Sequence, residues 1–345
     1  MRISQRVFGQ TREGEEIVQF TLASGSKVTI QLLSYGATLS SVKFPDRKGR
    51  VREVTLGFDS LDGYLNPHPY FGSTLGRVAN RIGHGRFTID GRAYTLFCNN
   101  GENHLHGGKK GFDKAVCSSA SFLRGAMAGV VFSYTSPDGE EGYPGTLDAR
   151  VGYTLDDSGT MEMRFEARTD QPTIVNLSNH AYWNLKGDGE GDIKDHLVTL
   201  PADRFVAVDG ELIPTGELKE VAGTPWDFRR GKPIGQDLAK AGGGYDVCYV
   251  LGDPVNGWRK VARVHEPSSG RGLEMSTTQP GVQFYSGHML APTTGRGGRQ
   301  YTTYGAFALE TEGFPDAINH PGFPSVLLRP GQKSLEKTRI RFFSE

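Results

Sequence analysis

Between Asn176 and Gly187 the chain reads N-L-S-N-H-A-Y-W-N-L-K-G. The pattern predicts an extended strand running into a turn, with side chains pointing alternately to two faces. Asn176, Ser178, His180 and Tyr182 then share one face; Leu177, Asn179, Ala181 and Trp183 share the other. Four hydrogen-bonding side chains in a row are unusual in a core strand, because each buried polar group needs a partner. Donors and acceptors ending in an aromatic edge suit a ligand ringed with hydroxyls, such as a sugar. Of the four, His180 is the side chain that takes up and releases a proton near neutral pH. A lone histidine is by default a satisfied core residue; the polar face around His180 favours a chemical role.

Five other stretches interrupt the apolar patterning. Gly76–Gly83, G-R-V-A-N-R-I-G, sets Asn80 beside Arg81, as a binding pair or as a surface turn. Asn103–Gly108, N-H-L-H-G-G, places His104 and His106 two apart, on one strand face. Two histidines without a clear third ligand do not make a metal site, so no metal is expected; neutral imidazoles bonding a ligand, or a structural role for His104, fit better. Asp246, just before an apolar strand, is either a turn cap or a carboxylate accepting from hydroxyls. In T-T-Q-P-G-V-Q-F-Y, Gln279 precedes a Pro-Gly turn, and Phe284 or Tyr285 offers a flat ring. Glu310 ends the apolar run Ala306–Leu309, either paired structurally or held for proton transfer. No dinucleotide or phosphate-loop motif and no nucleophile elbow occurs. The acidic loop Gly187–Asp195 lacks the calcium-loop pattern and reads as solvated.

What must hold these residues is a set of strands. Met161, Met163, Phe165 and Ala167 alternate with Glu162, Arg164, Glu166 and Arg168, which predicts a half-solvated antiparallel strand. Similar runs fall at Ser26–Leu33, Val151–Leu155, Arg204–Val208, Val247–Leu251, Lys260–Val264, Leu273–Thr277, Val282–Tyr285, Ala306–Glu310, Val326–Leu328 and Thr338–Phe343. Long 3.6-period segments are absent, and short helical turns are expected near Asp59–Tyr64 and Gln236–Ala241. Many strands without alternating helices point to an all-β sandwich or barrel. No linker or repeat divides residues 1–345, so one domain is expected; Ala291–Arg299 reads as a mobile surface loop. Lys+Arg and Asp+Glu both number 39, which argues against nucleic acid or an anionic membrane as partner. Cys98, Cys117 and Cys248 are too sparse for a disulfide framework. With no apolar leader and no run of about 18 apolar residues, a cytoplasmic protein is expected.

Taken in order, R-V-A-N-R-I, N-H-L-H-G-G, S-P-D-G-E-E-G-Y-P-G, N-L-S-N-H-A-Y-W-N-L, T-T-Q-P-G-V-Q-F-Y and L-E-T-E-G-F-P-D-A-I-N resemble the aldose 1-epimerase (galactose mutarotase) family from about Gly36 to Gly331. The resemblance implies a large antiparallel β-sandwich of the galactose mutarotase type, with an open sugar cleft and no cofactor. It implies interconversion of the α and β anomers of free aldoses such as galactose or glucose. His180 matches the general acid and Glu310 the general base; Asn80, Arg81, His106, Tyr182, Asp246 and Gln279 match positions that hold the sugar. These types suit the chemistry: a carboxylate with an ordinary pKa of about 4.3 accepts the C1 hydroxyl proton, and an imidazolium supported by it protonates the ring oxygen. Val247 stands where the family usually has histidine, and Glu312 where glutamine is frequent. A monomer or homodimer is expected. The alternatives are a non-catalytic sugar-binding or sensor sandwich and a hexose-6-phosphate epimerase; the latter needs a basic cluster for the phosphate.

Overall fold

The computed structural model describes Met1 through Glu345. Alternation in the sequence becomes burial in the fold. Along Thr160–Thr169, Met161, Met163, Phe165 and Ala167 are buried, while Glu162, Arg164 and Glu166 stay partly in solvent. Across this strand Val151 faces Phe165 and Tyr153 faces Met163, side-chain pairs that fix the register.

Three antiparallel sheets account for most of the strand residues. A nine-stranded sheet runs from the edge strand Ser118–Arg124 through Thr160–Thr169, Ser334–Ser344, Arg271–Thr277 and Arg259–His265 to Lys232–Pro233. A six-stranded sheet is ordered Tyr182–Trp183, Phe307–Glu312, Gly281–Tyr285, Asp246–Val250, Arg204–Val208 and Pro214–Glu220. A five-stranded meander spans Arg2 to Glu53. One cluster of 54 buried side chains, from Phe20 to Phe342, draws on all three sheets. The architecture is all-β, as alternation predicts. Helical turns lie at Leu61–Leu65 and Ile234–Ala241, with five three-residue turns elsewhere, and no helix is long and apolar enough to cross a membrane.

Two expectations for loops are corrected. The segment 291–299 is largely exposed but anchored: the Arg296 guanidinium donates to Thr55 O at 2.6 Å, to Ser40 O and to Asp188 Oδ2 at 3.2 Å. Asp188, from the loop read as solvated, is thereby buried, and it also accepts from the Tyr301 hydroxyl at 3.0 Å. An arginine in a Gly-rich stretch looks solvated until the carbonyls it satisfies are known.

The six-stranded sheet matters most for the site because its faces differ. Val247, Tyr249, Val282, Phe284, Phe307 and Leu309 enter the main core. Their alternating neighbours Asp246, Gln283, Tyr285, Glu310 and Glu312 turn to the opposite face, where cross-strand register sets Gln283 against Glu310 and Asp246 against Tyr285.

Candidate active site

Glu310 projects from the second strand of this sheet and is almost wholly buried, at 2% exposure. On the next strand Gln283 donates through Nε2 to Asp246 Oδ1 at 2.6 Å on the strand beyond. Three neighbouring strands thus present a carboxylate, an amide and a second carboxylate in a row.

His180 reaches Glu310 from outside the sheet. The stretch expected as one strand is two short ones: Ser178–Asn179 pairs with Thr74–Leu75, and Tyr182–Trp183 joins the Glu310 strand. His180 sits at the crossing, its backbone N–H donating to Ser73 O and its carbonyl accepting from Gly72 N–H. Its Nε2 lies 3.5 Å from Glu310 Oε1, and Nδ1 has no partner. The ring stacks on Tyr182 at 4.7 Å between centroids and on Tyr70 at 6.0 Å.

His106 closes the third side, edge-on to His180 at 5.3 Å. Its left-handed backbone is followed by Gly107 at φ +91°, where a Cβ would lie 1.7 Å from Gly76 O; only glycine passes there. The His106 N–H donates to Asn80 O, and the Asn80 N–H donates to His106 Nδ1 at 3.1 Å. Asn80 Nδ2 in turn donates to Glu312 Oε1 at 2.9 Å, and Asn80 Oδ1 accepts from the Arg81 N–H. Ligating atoms of His106, His180 and Glu310 lie within 4.8 Å of one another, a spacing a metal could use. The bond from Asn80 opposes that role: it assigns Nδ1 as acceptor, so the neutral ring carries its proton on Nε2, which donates and cannot ligate.

The electrostatics differ from the expected imidazolium and carboxylate. Burial, with His68 adding to it, pushes His180 down to about 3. Burial, then the neighbouring Glu312 and Asp246, raises Glu310 well above 4.5, against the opposing pull of Arg81. Without ligand the pair therefore favours its neutral form, a protonated Glu310 beside an uncharged His180. Burial likewise raises Glu312 to about 8 and raises Asp246, and it lowers His106 well below 6.5.

The structure thus gathers His180, Glu310, Asn80, Arg81, His106, Tyr182 and Asp246. It does not gather Gln279. That side chain precedes the strand and lines a separate cleft with Arg259, Thr278 and Glu336, while Gln283 occupies the row beside Glu310. The strand begins only at Gly281, after Gln279, and that boundary is invisible in T-T-Q-P-G-V-Q-F-Y alone. Tyr70, against both His180 and His106, lies outside every motif. Two polar motifs are scaffold. His104 is fully buried between Phe97 O and the Tyr143 hydroxyl. Arg77 buries its guanidinium against Ser136, Pro137, Pro144 and Gly145, holding the S-P-D-G-E-E-G-Y-P-G segment.

A model of the aldose 1-epimerase family matches residues 18–341. The galactose mutarotase of Bos taurus is 46% identical, over 99% of this chain and 98% of its own. The aldose 1-epimerase of Escherichia coli K12 is 36% identical, over 96% and 97% of the two chains. Among solved structures, the GalM/aldose epimerase homologue of C. elegans aligns with TM-score 0.86 and 32% identity, covering 94% of this chain and 98% of its own. With a family match over most of its length and relatives of this identity, the chain belongs to the aldose 1-epimerase family.

Proposed function

We propose that this protein is an aldose 1-epimerase that opens and recloses the ring of free aldohexoses, galactose and glucose among them, with Glu310 as base and His180 as acid. The observation that carries the roles is the 3.5 Å approach of His180 Nε2 to Glu310 Oε1 in a buried, aromatic-walled site. Ring opening moves two protons. The C1 hydroxyl proton passes to the Glu310 carboxylate while His180 delivers its proton to the ring oxygen, and the C1–O5 bond breaks to the open-chain aldehyde. The C1–C2 bond rotates, and both transfers reverse onto the other face of the carbonyl. After opening, Glu310 is protonated and His180 neutral, which is the form that burial favours. The protein environment therefore supports the open-chain state, and the hydroxyl and ring oxygen of the bound pyranose draw out the charged form. Asn80, Arg81, His106, Tyr182 and Asp246 hold the sugar, joined by Gln283.

A phosphosugar is disfavoured: Arg81 faces Glu310, Glu312 and Asp246, and its Nε donates to Asn100 Oδ1 at 3.0 Å. We place the enzyme in the cytoplasm because its three cysteines are unpaired. We read it as a single domain, monomeric or homodimeric, since one core and one chain supply the whole site. Polarimetry of freshly dissolved α-D-galactose and α-D-glucose tests the activity. Glu310→Gln, isosteric but not basic, should lose roughly 10²–10⁴-fold in rate. Rotation decaying at the uncatalysed rate with the native protein across a panel of aldoses would leave only a sugar-binding role.

A further inference from the structure

Gln279 is 94% buried by its 6% exposure, and its side-chain amide bonds nothing in the protein; its sole side-chain contact of this kind is made by its backbone N–H, to Thr277 Oγ1. The neighbouring Asn176, by contrast, uses both ends of its amide. The amide lines a hollow with both ends unspent and open to solvent, which marks a place where something polar binds. The hollow is a cleft of about 650 Å³, within the roughly 300–1,000 Å³ of small-molecule sites.

The other groups around it are similarly unspent. Arg259 donates through Nη1 to Thr278 O at 2.7 Å, leaving Nε and Nη2 free. Gln332 uses its carbonyl, which accepts from the Arg329 N–H at 2.9 Å, and keeps its NH₂. Glu336 accepts from the Thr278 hydroxyl and has a second oxygen to offer. Lys333, the second cation, is taken by Glu166 at 2.6 Å. One guanidinium, one carboxylate and two amides, over an apolar edge of Leu177 and Val326, offer donors and acceptors in balance. A phosphate or a carboxylate would meet the Glu336 carboxylate beside a single free guanidinium; a hydroxyl wants one donor and one acceptor together.

We propose that this cleft is a second site, separate from the catalytic pair, that takes a neutral polyhydroxylated molecule such as a pyranoside. It lies behind the pair. Asn176 and Gly313 form part of its wall, and they are joined by Gly313 N–H to Asn176 Oδ1 at 2.8 Å and by Asn176 Nδ2 to Gly313 O at 3.2 Å. This link ties the segment leading to His180 to the end of the strand carrying Glu310, while the occupant itself sits against Gln279 and Arg259.

The test uses methyl β-D-galactopyranoside, which has no free C1 hydroxyl and cannot be opened. Crystals soaked in it, and NMR titration of the full chain, should show two molecules per chain, one of them against Gln279 and Arg259. Arg259→Met should lose that molecule while still accelerating galactose mutarotation at the native rate, and Gln279→Leu should lose it as well. A single molecule per chain in the native protein, or two that persist in both variants, overturns the proposal. Preferential binding of inorganic phosphate in the cleft overturns the assignment to a neutral ligand. Mutarotation is read separately, so a failed second site leaves the catalytic reading untouched.

Discussion

At the scale of single residues, catalysis depends on how many protons the His180–Glu310 pair holds. Ring opening needs one proton shared between them. Acid adds a second as His180 titrates at about 3; base removes the first above the raised value of Glu310. Activity should therefore persist well below the ordinary histidine pKa of about 6.5 and fall on the alkaline side. Glu312 shapes that alkaline limb. It is fully buried, accepts from Asn80 Nδ2, and faces Glu310 on its own strand and Asp246, Cys248 and Arg81 across the sheet and site. Raised to about 8, it is neutral at pH 7 and gains a charge beside Glu310 above that pH. Glu312→Gln keeps an acceptor for Asn80 but cannot ionise. Its rate at pH 6 should stay within about threefold of native, since the hydrogen bond survives, while the inflection near pH 8 disappears. Superimposable polarimetric pH profiles from the two proteins would reduce Glu312 to a filler of space.

At the scale of elements, the polar face predicted for Asn176–Tyr182 was legible, but its purpose was divided. His180 and Tyr182 face the site, whereas Asn176 spends its amide on backbone: Ala79 O, Gly313 O and the Gly313 N–H. Asn179 likewise serves Gly72 O and the Tyr153 hydroxyl. A sequence shows that four polar side chains alternate; it does not show that the strand breaks at His180 and changes sheets, and that break leaves backbone groups needing side-chain partners. Asn176→Ala tests the consequence. Removing the amide leaves the buried Gly313 N–H unpaired, which costs about 1–3 kcal/mol of stability. It also frees the Glu310 strand end from the His180 segment. The rate constant should fall about tenfold or more, because misplaced reacting groups lose orientation, while KM changes little. Unaltered turnover in a destabilised variant would confine Asn176 to folding.

For the whole molecule, alternation was the reliable signal because half-buried antiparallel strands write their two faces directly into the sequence, as Met161–Ala167 does. Irregular elements were less legible: Gln279 falls just before the strand that carries Gln283, and Arg296 anchors a loop whose composition looks mobile. The same burial that makes the site sets the response of the fold to acid. His68 and His104 are held down to about 4 and His180 and His196 to about 3, each chiefly by burial, and His106 well below 6.5. In the unfolded chain each takes a proton as pH falls through about 6.5; in the folded chain none does until much lower pH. The unfolded state therefore binds more protons across the interval from about 6.5 to 4, and stability falls there by about 1.4 kcal/mol per pH unit for each such group. Glu266, lowered to about 2, adds to the loss below its unfolded pKa of about 4.3. In the opposite direction, Glu310 and Glu312 stay protonated above their unfolded values, so their contribution declines as pH rises, for Glu312 toward 8. Asp246, Asp113 and Glu336 are raised by burial as well, and together these carboxylates offset part of the histidine slope, so the net loss is smaller than a sum over the five imidazoles. Urea unfolding followed by tryptophan fluorescence should show a maximum near neutral pH and a decline below pH 6.5. A stability that rose from pH 7 down to 5 would mean that the raised carboxylates act unopposed and that these imidazoles are charged in the folded protein, and the neutral His180 on which the resting site rests would go with them.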